Sequence, residues 1–577
     1  MTTSHHPRTR PRRAGRVLLL GLAAMLALGT AAPVQAQSGY RAVTGSGSSW
    51  SANMIDAWSA DVKQFGISVS YNGQAGSSAG RREFTASTVD FAVSEIPYGL
   101  TDAQGVYDRP PNRGFAYLPV VAGGTAFMYN LKISGKQVTN LRLSGENTSK
   151  IFTGAITTWN DPAIARDNPN LALPARRIVP VVRSDGSGTT AQFTTWMAKE
   201  HQGVWSAFCT KQRLPFRGTC PFTSNYPSVS GFVSQSGSLG VSGYVKTPTA
   251  EGSITYVEYS YALRAKFPVA KILNTAGYYV EPTDKAVAVG LLGAGINQDK
   301  ANKDVYLTQQ LEGVYRNRDA RSYPLSSYSY MIIPTAEAGT FKRDKGRALG
   351  DFLYYSVCEG QQAAGVLGYS PLPQNLVKAG LDQIRLIPGV DVQGVQLNKC
   401  NNPTFSADGT NTLTKTAPQP PACDKAGPVQ CATGTAGARA TGTAVTRGTG
   451  GPALAAAGGA TAKGGATASG GAAGGRTAAG AAPGTPRSGG ASAPALAAGG
   501  SGAAPGSAVD PETGELLAVG GGGDIAVGLV NGVAVAAPGS TGSAQQGWMM
   551  ALAALMLLVA TLGPAVLRQR LSRGPRP

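Results

Sequence analysis

The pattern of apolar and polar positions divides the chain into a patterned body and a long unpatterned tail. Between about residues 40 and 400, short apolar runs alternate with segments in which apolar residues recur every three or four positions. The short runs predict strands, and the recurring spacing predicts amphipathic helices. Strands that alternate with helices indicate an α/β domain with a largely parallel sheet.

Several elements of the body are predicted by this pattern. One helix is predicted by the spacing of Ile55, Trp58, Val62 and Phe65, and a late amphipathic helix by the spacing within 351–365. The predicted strands lie at Ile67–Tyr71, Val89–Glu95, Ile178–Val182, Gly252–Ala262 (which leads into a helix) and Ser329–Ile333.

Polar turns follow four of the predicted strand ends. They are Ser46–Trp50, Gly76–Ser78, Glu95 and Arg183–Thr189, and three of them lead into helices. In open α/β sheets, ligands bind at the carboxyl ends of strands. Helix N-termini that converge there form an anion site, because their free N–H groups and dipoles favour negative charge.

The turn at residues 183–190 reads R-S-D-G-S-G-T-T and is the strongest candidate for an anion-binding turn. Arg183 supplies a planar fork of donors suited to a tetrahedral oxyanion. The alternative is a capped helix start beside an Arg–Asp surface pair, and this stretch alone does not separate the two.

Composition explains the unpatterned tail. Most of the excess among the 77 glycines lies after residue 430. We expect residues 432–547, rich in Ala, Gly, Thr, Ser and Pro, to form a disordered, flexible linker, since they bury too little apolar surface to offset their ordering entropy. A Gly-rich coil of this length has an r.m.s. reach of about 60 Å.

The two ends of the chain predict export and anchoring. Residues 1–36 combine an Arg-rich start, an apolar run and a small-residue cleavage site at Val34–Ala36, as a signal peptide does. Residues 548–567 are apolar and uncharged, which predicts a C-terminal transmembrane helix. The arginines in 568–577 predict a basic cytoplasmic end, so the body would lie on the extracytoplasmic face of the membrane.

Charge, cysteine and histidine usage argue against a nucleic-acid-binding protein and against a metal site. The net charge is +19, but basic residues crowd both ends and the tail, and no stretch interleaves Lys or Arg with exposed aromatics, so we expect no nucleic-acid binding. No Cys-x-x-Cys pair occurs and His201 is the only histidine after residue 36, so we expect no metal site and no cofactor. Disulfides are expected instead, with Cys209–Cys220 and Cys423–Cys431 as local pairs and Cys358–Cys400 as the remainder, although sequence does not fix the pairing.

A hydrolase is the first alternative to an anion binder. Gly76–Gly80 fits the nucleophile-elbow pattern G-x-S-x-G with Ser78 at its centre. Its triad would need Asp90 or Glu95 as the acid and His201 as the base. The polar surroundings of His201 favour a solvated helix face.

Several motifs together resemble the phosphate-binding protein of the bacterial phosphate ABC importer. They are Gly45–Trp50, Ser77–Glu95, Leu118–Gly124, Ile151–Ile164 (I-F-T-G-A-I-T-T-W-N-D-P-A-I), Asn168–Pro174, Arg183–Thr190 and Gly252–Ala262. The resemblance covers about 350 residues of the body. It implies a two-lobed, type II periplasmic-binding-protein fold, with lobe 1 at 40–118 and 323–400, lobe 2 at 119–322, and hinges near Leu118–Gly124 and Tyr323–Ser326.

The resemblance also implies a set of residues that hold inorganic phosphate without covalent chemistry. They are Ser49, Trp50, Ser77, Glu95, Arg183, Asp185, Ser187, Gly188 and Thr189. Glu95 stands where the family pattern usually has Asp. A carboxylate there favours an anion that carries a proton, and so favours phosphate over sulfate.

The resemblance implies a non-enzymatic, monomeric protein that passes phosphate to the permease of an ABC importer. Two alternatives remain, namely a phosphatase or esterase that uses a cleft serine, and a surface sensor or scavenger that has no transporter partner.

Overall fold

The computed structural model describes residues 39–443. The predicted signal peptide, the transmembrane helix, the basic end and the linker beyond residue 443 lie outside these residues. Within 39–443, no helix combines the length and the apolar character that a membrane crossing requires.

Strands and helices alternate along the described chain. The strands are β1 (Val43–Gly47), β2 (Val69–Asn72), β3 (Phe91–Ser94), β4 (Phe115–Tyr129), β5 (Lys132–Ile133), β6 (Lys136–Gln137), β7 (Arg142–Leu143), β8 (Val179–Arg183), β9 (Val233–Gln235), β10 (Ser253–Glu258), β11 (Val269–Leu273), β12 (Tyr279–Val280), β13 (Gly295–Ile296), β14 (Gln309–Gln310) and β15 (Ser326–Pro334).

The helices are α1 (Ala52–Asp61), α2 (Ser77–Thr85), α3 (Gly145–Phe152), α4 (Pro162–Asp167), α5 (Gly188–Glu200), α6 (Gln202–Lys211), α7 (Gly237–Lys246), α8 (Tyr259–Arg264), α9 (Asp284–Gly290), α10 (Glu312–Tyr315), α11 (Arg343–Val357), α12 (Ala364–Leu367), α13 (Gln374–Ile384) and α14 (Thr412–Thr416). Short 3₁₀ turns lie at Val62–Phe65, Leu291–Gly293, Glu359–Ala363, Leu397–Lys399, Ala422–Asp424 and Ala436–Ala438. The α/β prediction is confirmed.

The long, fully buried strand β4 joins two parts of one sheet. Its first part pairs with β15, and its second part pairs with β10 and β11. The strand order along the sheet is β2-β1-β3-β15-β4-β10-β8-β9. We call β1, β2, β3 and β15 with their helices the first half, and β8, β9, β10 and β11 with theirs the second half.

The sheet is mixed, so the prediction of a largely parallel sheet is wrong at its centre. Pairing is parallel on the outer strands, where β1 contacts β2 and β3, and β8 contacts β9 and β10. Strand β4 pairs antiparallel with β15 and β10. The reason is topological: β4 carries the chain from the first half to the second and β15 brings it back, so the two run in opposite directions.

Helices pack on both parts of the sheet and leave the strand ends free. In the first half, α2 packs on β1 and β3, and α11 packs on α1 and α13. In the second half, α5 packs on β10, and α7 on β8 and β10. Helix N-termini therefore lie beside the carboxyl ends of their preceding strands, as in other α/β layers.

The late helix begins earlier than predicted. Helix α11 spans Arg343–Val357 rather than 351–365, and the chain bends at Cys358 before α12. Its buried residues include Gly346, Ala348 and Leu349. The small residues Gly346 and Ala348 weaken the apolar pattern, and Cys358 is held in place by its disulfide.

All three expected disulfides are present: Cys209–Cys220, Cys358–Cys400 and Cys423–Cys431. The described chain leaves no cysteine free. The pairing prediction is confirmed, and cross-links of this kind fit an exported protein.

Packed chain continues beyond residue 400 and past the predicted start of the linker at residue 432. The Thr435 hydroxyl donates to the carbonyl of Val269 at 2.6 Å, and Arg439 Nη2 lies 2.7 Å from Glu281 Oε2. Thr435 and Arg439 therefore pack on the second half of the sheet, although both follow residue 432, the predicted start of the linker. Composition does not reveal these contacts, because they depend on a hydroxyl and one charged side chain rather than on apolar area.

Candidate functional site

Four strand ends and four helix starts meet where the two halves of the sheet face each other. Strands β1, β3, β8 and β9 end there, and α1, α2, α5 and α7 begin there. The first three strand ends were predicted, and the end of β9 was not. All nine predicted residues belong to these strand ends and helix starts, and all are buried except Asp185, which is partly exposed.

Glu95 lies at the centre of the first half's contribution. Its side chain is 0% exposed, and it follows β3 directly. The Ser77 hydroxyl donates to Glu95 Oε2 at 2.9 Å, and the Ser329 hydroxyl donates to Oε1 at 3.0 Å. Burial raises the pKa of Glu95, while hydrogen bonds from Ser48, Ser77 and Ser329 and the charge of Arg183 oppose that rise.

The start of α5 reaches this carboxylate from the second half. The N–H of Gly188 donates to Ser77 Oγ at 3.1 Å. A Cβ added at Gly188 would lie 1.9 Å from Glu95 Oε2, so only glycine allows this approach. The first turn of α5 therefore faces Glu95 with bare backbone, an arrangement that places N–H donors near a developing or bound negative charge.

Arg183 and Asp185 form a two-bond ion pair at the end of β8. Nε donates to Oδ1 at 2.8 Å, and Nη2 donates to Oδ2 at 2.5 Å. Nη1 points instead toward the hydroxyls of Thr189 and Ser238, at 3.5 and 3.4 Å. The guanidinium, 2% exposed, is thus held by one edge and leaves Nη1 for the site.

Ser187 and Thr189 have different relations to this centre. Ser187 caps α5, because its hydroxyl oxygen accepts the N–H of Thr190 at 3.1 Å, and its own N–H donates to Ser224. Thr189 lies one residue into the helix with its hydroxyl toward Arg183. The Ser187 hydroxyl hydrogen, rather than its N–H, is the group free to reach a ligand.

Ser49 and Trp50 approach from the first half. The N–H of Trp50 donates to Ser48 Oγ at 3.0 Å, and its indole is buried edge-on against Tyr369. Tyrosines fix the two carbonyls: Tyr261 donates to Ser49 O at 2.5 Å, and Tyr369 donates to Trp50 O at 2.7 Å. This turn is therefore held rigidly, with the Ser49 hydroxyl toward the second half.

Three hydroxyls at the site were missed by sequence reasoning: those of Ser48, Ser238 and Ser329. Ser238 follows the short strand β9 in the run S-Q-S-G-S-L-G at residues 234–240. That run repeats the strand–turn–helix signal that identified Arg183, so it could have been found. Ser329 lies inside β15, where no turn marks it, so pattern alone gave no signal.

Neither a metal site nor a catalytic triad is formed among residues 39–443. No group of three or more His, Cys, Asp or Glu side chains could hold a metal ion there. His201 lies at the far end of α5, and burial lowers its pKa to about 4. A helix of 13 residues is about 20 Å long, so His201 is remote from Ser78, whose N–H donates to Gly186 at the near end.

A family model described as the PBP superfamily domain matches residues 30–359. The phosphate-binding protein PstS of Xylella fastidiosa is 31% identical over 350 residues, covering 60% of this chain and 86% of its own length. The phosphate-binding protein PstS 3 of Mycobacterium tuberculosis is 32% identical over 343 residues, covering 58% and 84% respectively.

Two solved structures of phosphate-binding proteins are similar to this chain. One is a high affinity periplasmic phosphate-binding protein, PfluDING, bound with phosphate, at 19% identity, a TM-score of 0.45, and coverage of 63% of this chain and 100% of that one. Another is a phosphate-binding protein from Stenotrophomonas maltophilia, at 20% identity, a TM-score of 0.43, and coverage of 64% and 99%. From the superfamily match and the length and identity of the sequence relatives, the chain belongs to the PstS family of phosphate-binding proteins, with the mixed α/β fold of the PBP superfamily.

Proposed function

We propose that the protein binds inorganic phosphate outside the cytoplasm and delivers it to an ABC importer. The observation that carries this proposal is the meeting of Ser77, Arg183 and the N-terminus of α5 around the buried carboxylate of Glu95. Such a site offers many fixed donors and one acceptor. That combination suits a tetrahedral oxyanion that still carries a proton.

The nine residues divide into roles under this proposal. Arg183 Nη1 and the hydroxyls of Ser49, Ser187 and Thr189 donate to phosphate oxygens. Ser77 holds Glu95 through its hydroxyl, and Gly188 keeps the first turn of α5 bare beside that carboxylate. Trp50 anchors the turn that presents the Ser49 hydroxyl. Glu95 accepts a hydrogen bond from the phosphate hydroxyl. Asp185 orients Arg183, to which it is bonded twice. Binding is non-covalent, and donors replace the hydration shell of the anion.

Selectivity follows from the carboxylate. Phosphate keeps a proton near neutral pH and can donate it to Glu95, whereas sulfate has none and would face a buried, unpaired negative charge. Such a mismatch costs several kcal/mol, on the order of 3–5. The hydroxyls of Ser77 and Ser329 hold the longer Glu95 side chain in place, which supports the same role that a shorter Asp would have.

Closure of two lobes would complete the site. We assign lobe 1 to residues 40–118 and 323–400 and lobe 2 to 119–322, with hinges at Leu118–Gly124 and Tyr323–Ser326. The support is that β4 and β15 run through these crossings and that Ser77 of one half bonds Gly188 of the other. Lobes that close on a ligand exclude water from it.

Export and anchoring rest on the sequence alone. Residues 1–36 would direct export, and residues 548–567 would hold the protein on the extracytoplasmic face of the membrane with 568–577 in the cytoplasm. The linker to residue 547 would give the body its reach. Release of the full-length protein from cells would contradict the anchor.

The remote position of His201 argues against the hydrolase alternative. Ser78 has no histidine base nearby, Glu95 already bonds Ser77, and Asp90 forms an ion pair with Lys345 at 2.8 Å. A serine without a base is a weak nucleophile.

Isothermal titration calorimetry on the purified, ligand-stripped chain tests the binding proposal. We expect one phosphate per chain and little or no heat with sulfate near neutral pH. Absence of phosphate binding would overturn the proposal. Transport is tested by deleting the gene, and unchanged phosphate uptake would favour a sensor or scavenger instead.

A further inference from the structure

The hydroxyls of Ser49 and Ser238 meet across the two halves of the site. Their oxygens lie 2.8 Å apart, and the N–H of Ser238 donates to Ser49 Oγ at 3.0 Å. Both side chains are at most 1% exposed. Ser238 is the second residue of α7, so the contact joins the turn after β1 to the helix start after β9.

One hydroxyl hydrogen of this pair has no acceptor among the described residues. Arg183 Nη1 and the Ser238 N–H can only donate, and they point at Ser238 Oγ and Ser49 Oγ respectively. The two hydroxyls hold two hydrogens, of which one is shared between them. For the other, the described residues offer no acceptor. A buried O–H without an acceptor is costly unless a ligand accepts it.

We propose that Ser49 and Ser238 act as one hydroxyl donor to the bound anion, assembled when the two halves close. The proposal rests on the function proposed above and adds Ser238 to the site. Whichever serine donates to the other, one hydrogen is left for the ligand. The pair therefore donates one hydrogen bond to a phosphate oxygen, and the phosphate hydroxyl is left to donate to Glu95.

The first turn of α7 is built to hold this position. The N–H of Gly237 donates to Asp185 Oδ1 at 2.9 Å, which ties the helix start to the Arg183–Asp185 pair. Gly237 has a φ of +67°, and a Cβ there would lie 2.4 Å from Gln74 Oε1 of the first half. Glycine adopts this left-handed conformation without strain, so the positive φ favours glycine at the residue before Ser238.

A double-mutant cycle on phosphate binding by the full chain tests the shared donor. Ser49→Ala and Ser238→Ala should each weaken binding less than about 5-fold, because the remaining hydroxyl still supplies a hydrogen bond to the anion. The double variant should be weaker than the product of the two by about 5-fold or more, because each single variant keeps one hydroxyl to supply the hydrogen. Ser238→Thr should restore binding. Ser242→Ala is the matched control, since Ser242 is one turn along α7 and bonds only the helix backbone.

The outcomes separate this inference from the proposed function. A wild-type chain that binds no phosphate overturns both. If the wild type binds, either of two results overturns the shared donor alone. One is a fold-loss in the double variant equal to the product of the two single fold-losses. The other is a double variant with the same affinity as Ser49→Ala. As a second measurement, Ser49→Cys/Ser238→Cys should form a disulfide when oxidised glutathione is added as the oxidant, visible by mass because all native cysteines are paired. Failure to cross-link overturns the contact.

Discussion

Arg183 and Asp185 are joined by two parallel hydrogen bonds, 2.8 and 2.5 Å long, so the carboxylate covers one edge of the guanidinium and leaves Nη1 exposed to the site. Asp185 also accepts the N–H of Gly237 at 2.9 Å. One carboxylate thus fixes both the arginine and the start of α7. The arginine is pre-oriented, which lowers the entropy lost when an anion binds.

Removing the arginine should cost a substantial part of the binding free energy. Arg183→Ala should weaken phosphate binding by about 2–4 kcal/mol, because buried partner charges lose their counter-ion. Arg183→Lys should also weaken it, since an ammonium cannot bond Asp185 twice and still reach the anion. Calorimetry with phosphate measures both effects.

Arg321→Ala is the matched control for these variants. Arg321 bonds Asp319 in the same two-bond geometry, 2.9 and 2.6 Å, outside the site. Its loss should leave phosphate affinity unchanged. Equal losses for Arg183→Ala and Arg321→Ala would remove Arg183 from the site.

Selectivity should depend on the protonation of Glu95. Since burial raises its pKa, the neutral form gains population as pH falls through that raised value, and a neutral carboxyl can donate to sulfate. We expect sulfate affinity of the wild type to rise toward acidic pH. Glu95→Gln should bind sulfate at least about 10-fold more tightly at neutral pH, with no such pH dependence.

Competition between phosphate and sulfate across pH 4.5–8 measures this effect. Glu359→Gln changes an exposed carboxylate elsewhere and should behave as the wild type does. Sulfate binding that stays equally weak in Glu95→Gln would show that another group sets the selectivity.

The sequence allowed Arg183 and Glu95 to be predicted because each stands at the end of a strongly apolar run that forms a largely buried strand. Ser77 was predicted from its Gly- and Ser-rich turn, which opens α2. Ser238 follows β9, which has three residues and is only partly buried, so the strand was not recognised. Ser329 joins the site through the pairing of β15 with β3 and β4, and long-range pairing cannot be read from a local pattern.

Alanine variants of the two neighbouring serines in the G-x-S-x-G run should distinguish phosphate binding from hydrolysis. Ser77 bonds Glu95 and Gly188, so Ser77→Ala should weaken phosphate binding about 10-fold. Ser78 is held through its backbone N–H, so Ser78→Ala should change affinity less than about 3-fold. Turnover of a phosphate ester that Ser78→Ala abolishes would instead establish the hydrolase.

Glu258 should lower stability at neutral pH. It is fully buried at the end of β10, Oε2 accepts the N–H of Ser260 at 2.7 Å, and Oε1 has no partner among the described residues. Burial raises the pKa of Glu258 well above its usual range. The contribution of its protonated form is fully present below the usual carboxyl range and is lost as pH rises toward the raised pKa.

Glu258→Gln should therefore raise Tm at pH 7–8, by an amount equivalent to about 1–3 kcal/mol, and the gain should vanish below about pH 4. Thermal unfolding across pH measures it, with Glu359→Gln as the exposed control. A gain that is constant across pH would mean that packing, and not ionisation, sets the cost.

The packed segment up to residue 443 should stabilise the second half of the sheet. Glu281 is 7% exposed and accepts the N–H of Ala436 at 2.6 Å, the Tyr259 hydroxyl, and Arg439 at 2.7 Å. A chain that ends at residue 431 loses two of these three partners. Because the carboxylate stays buried with one donor, we expect a loss of about 2–3 kcal/mol in the free energy of unfolding.

Chains that end at residues 431 and 443 make the comparison direct, with denaturant unfolding as the measurement. The longer chain should be as stable as the full-length protein. Arg439→Ala in the longer chain should cost only part of what the truncation at residue 431 costs, because Arg439 is half exposed and its ion pair is screened by solvent. Equal stability of the two chains would support residue 432 as the start of the linker. The contacts at Glu281 would then contribute nothing beyond what the Tyr259 hydroxyl supplies.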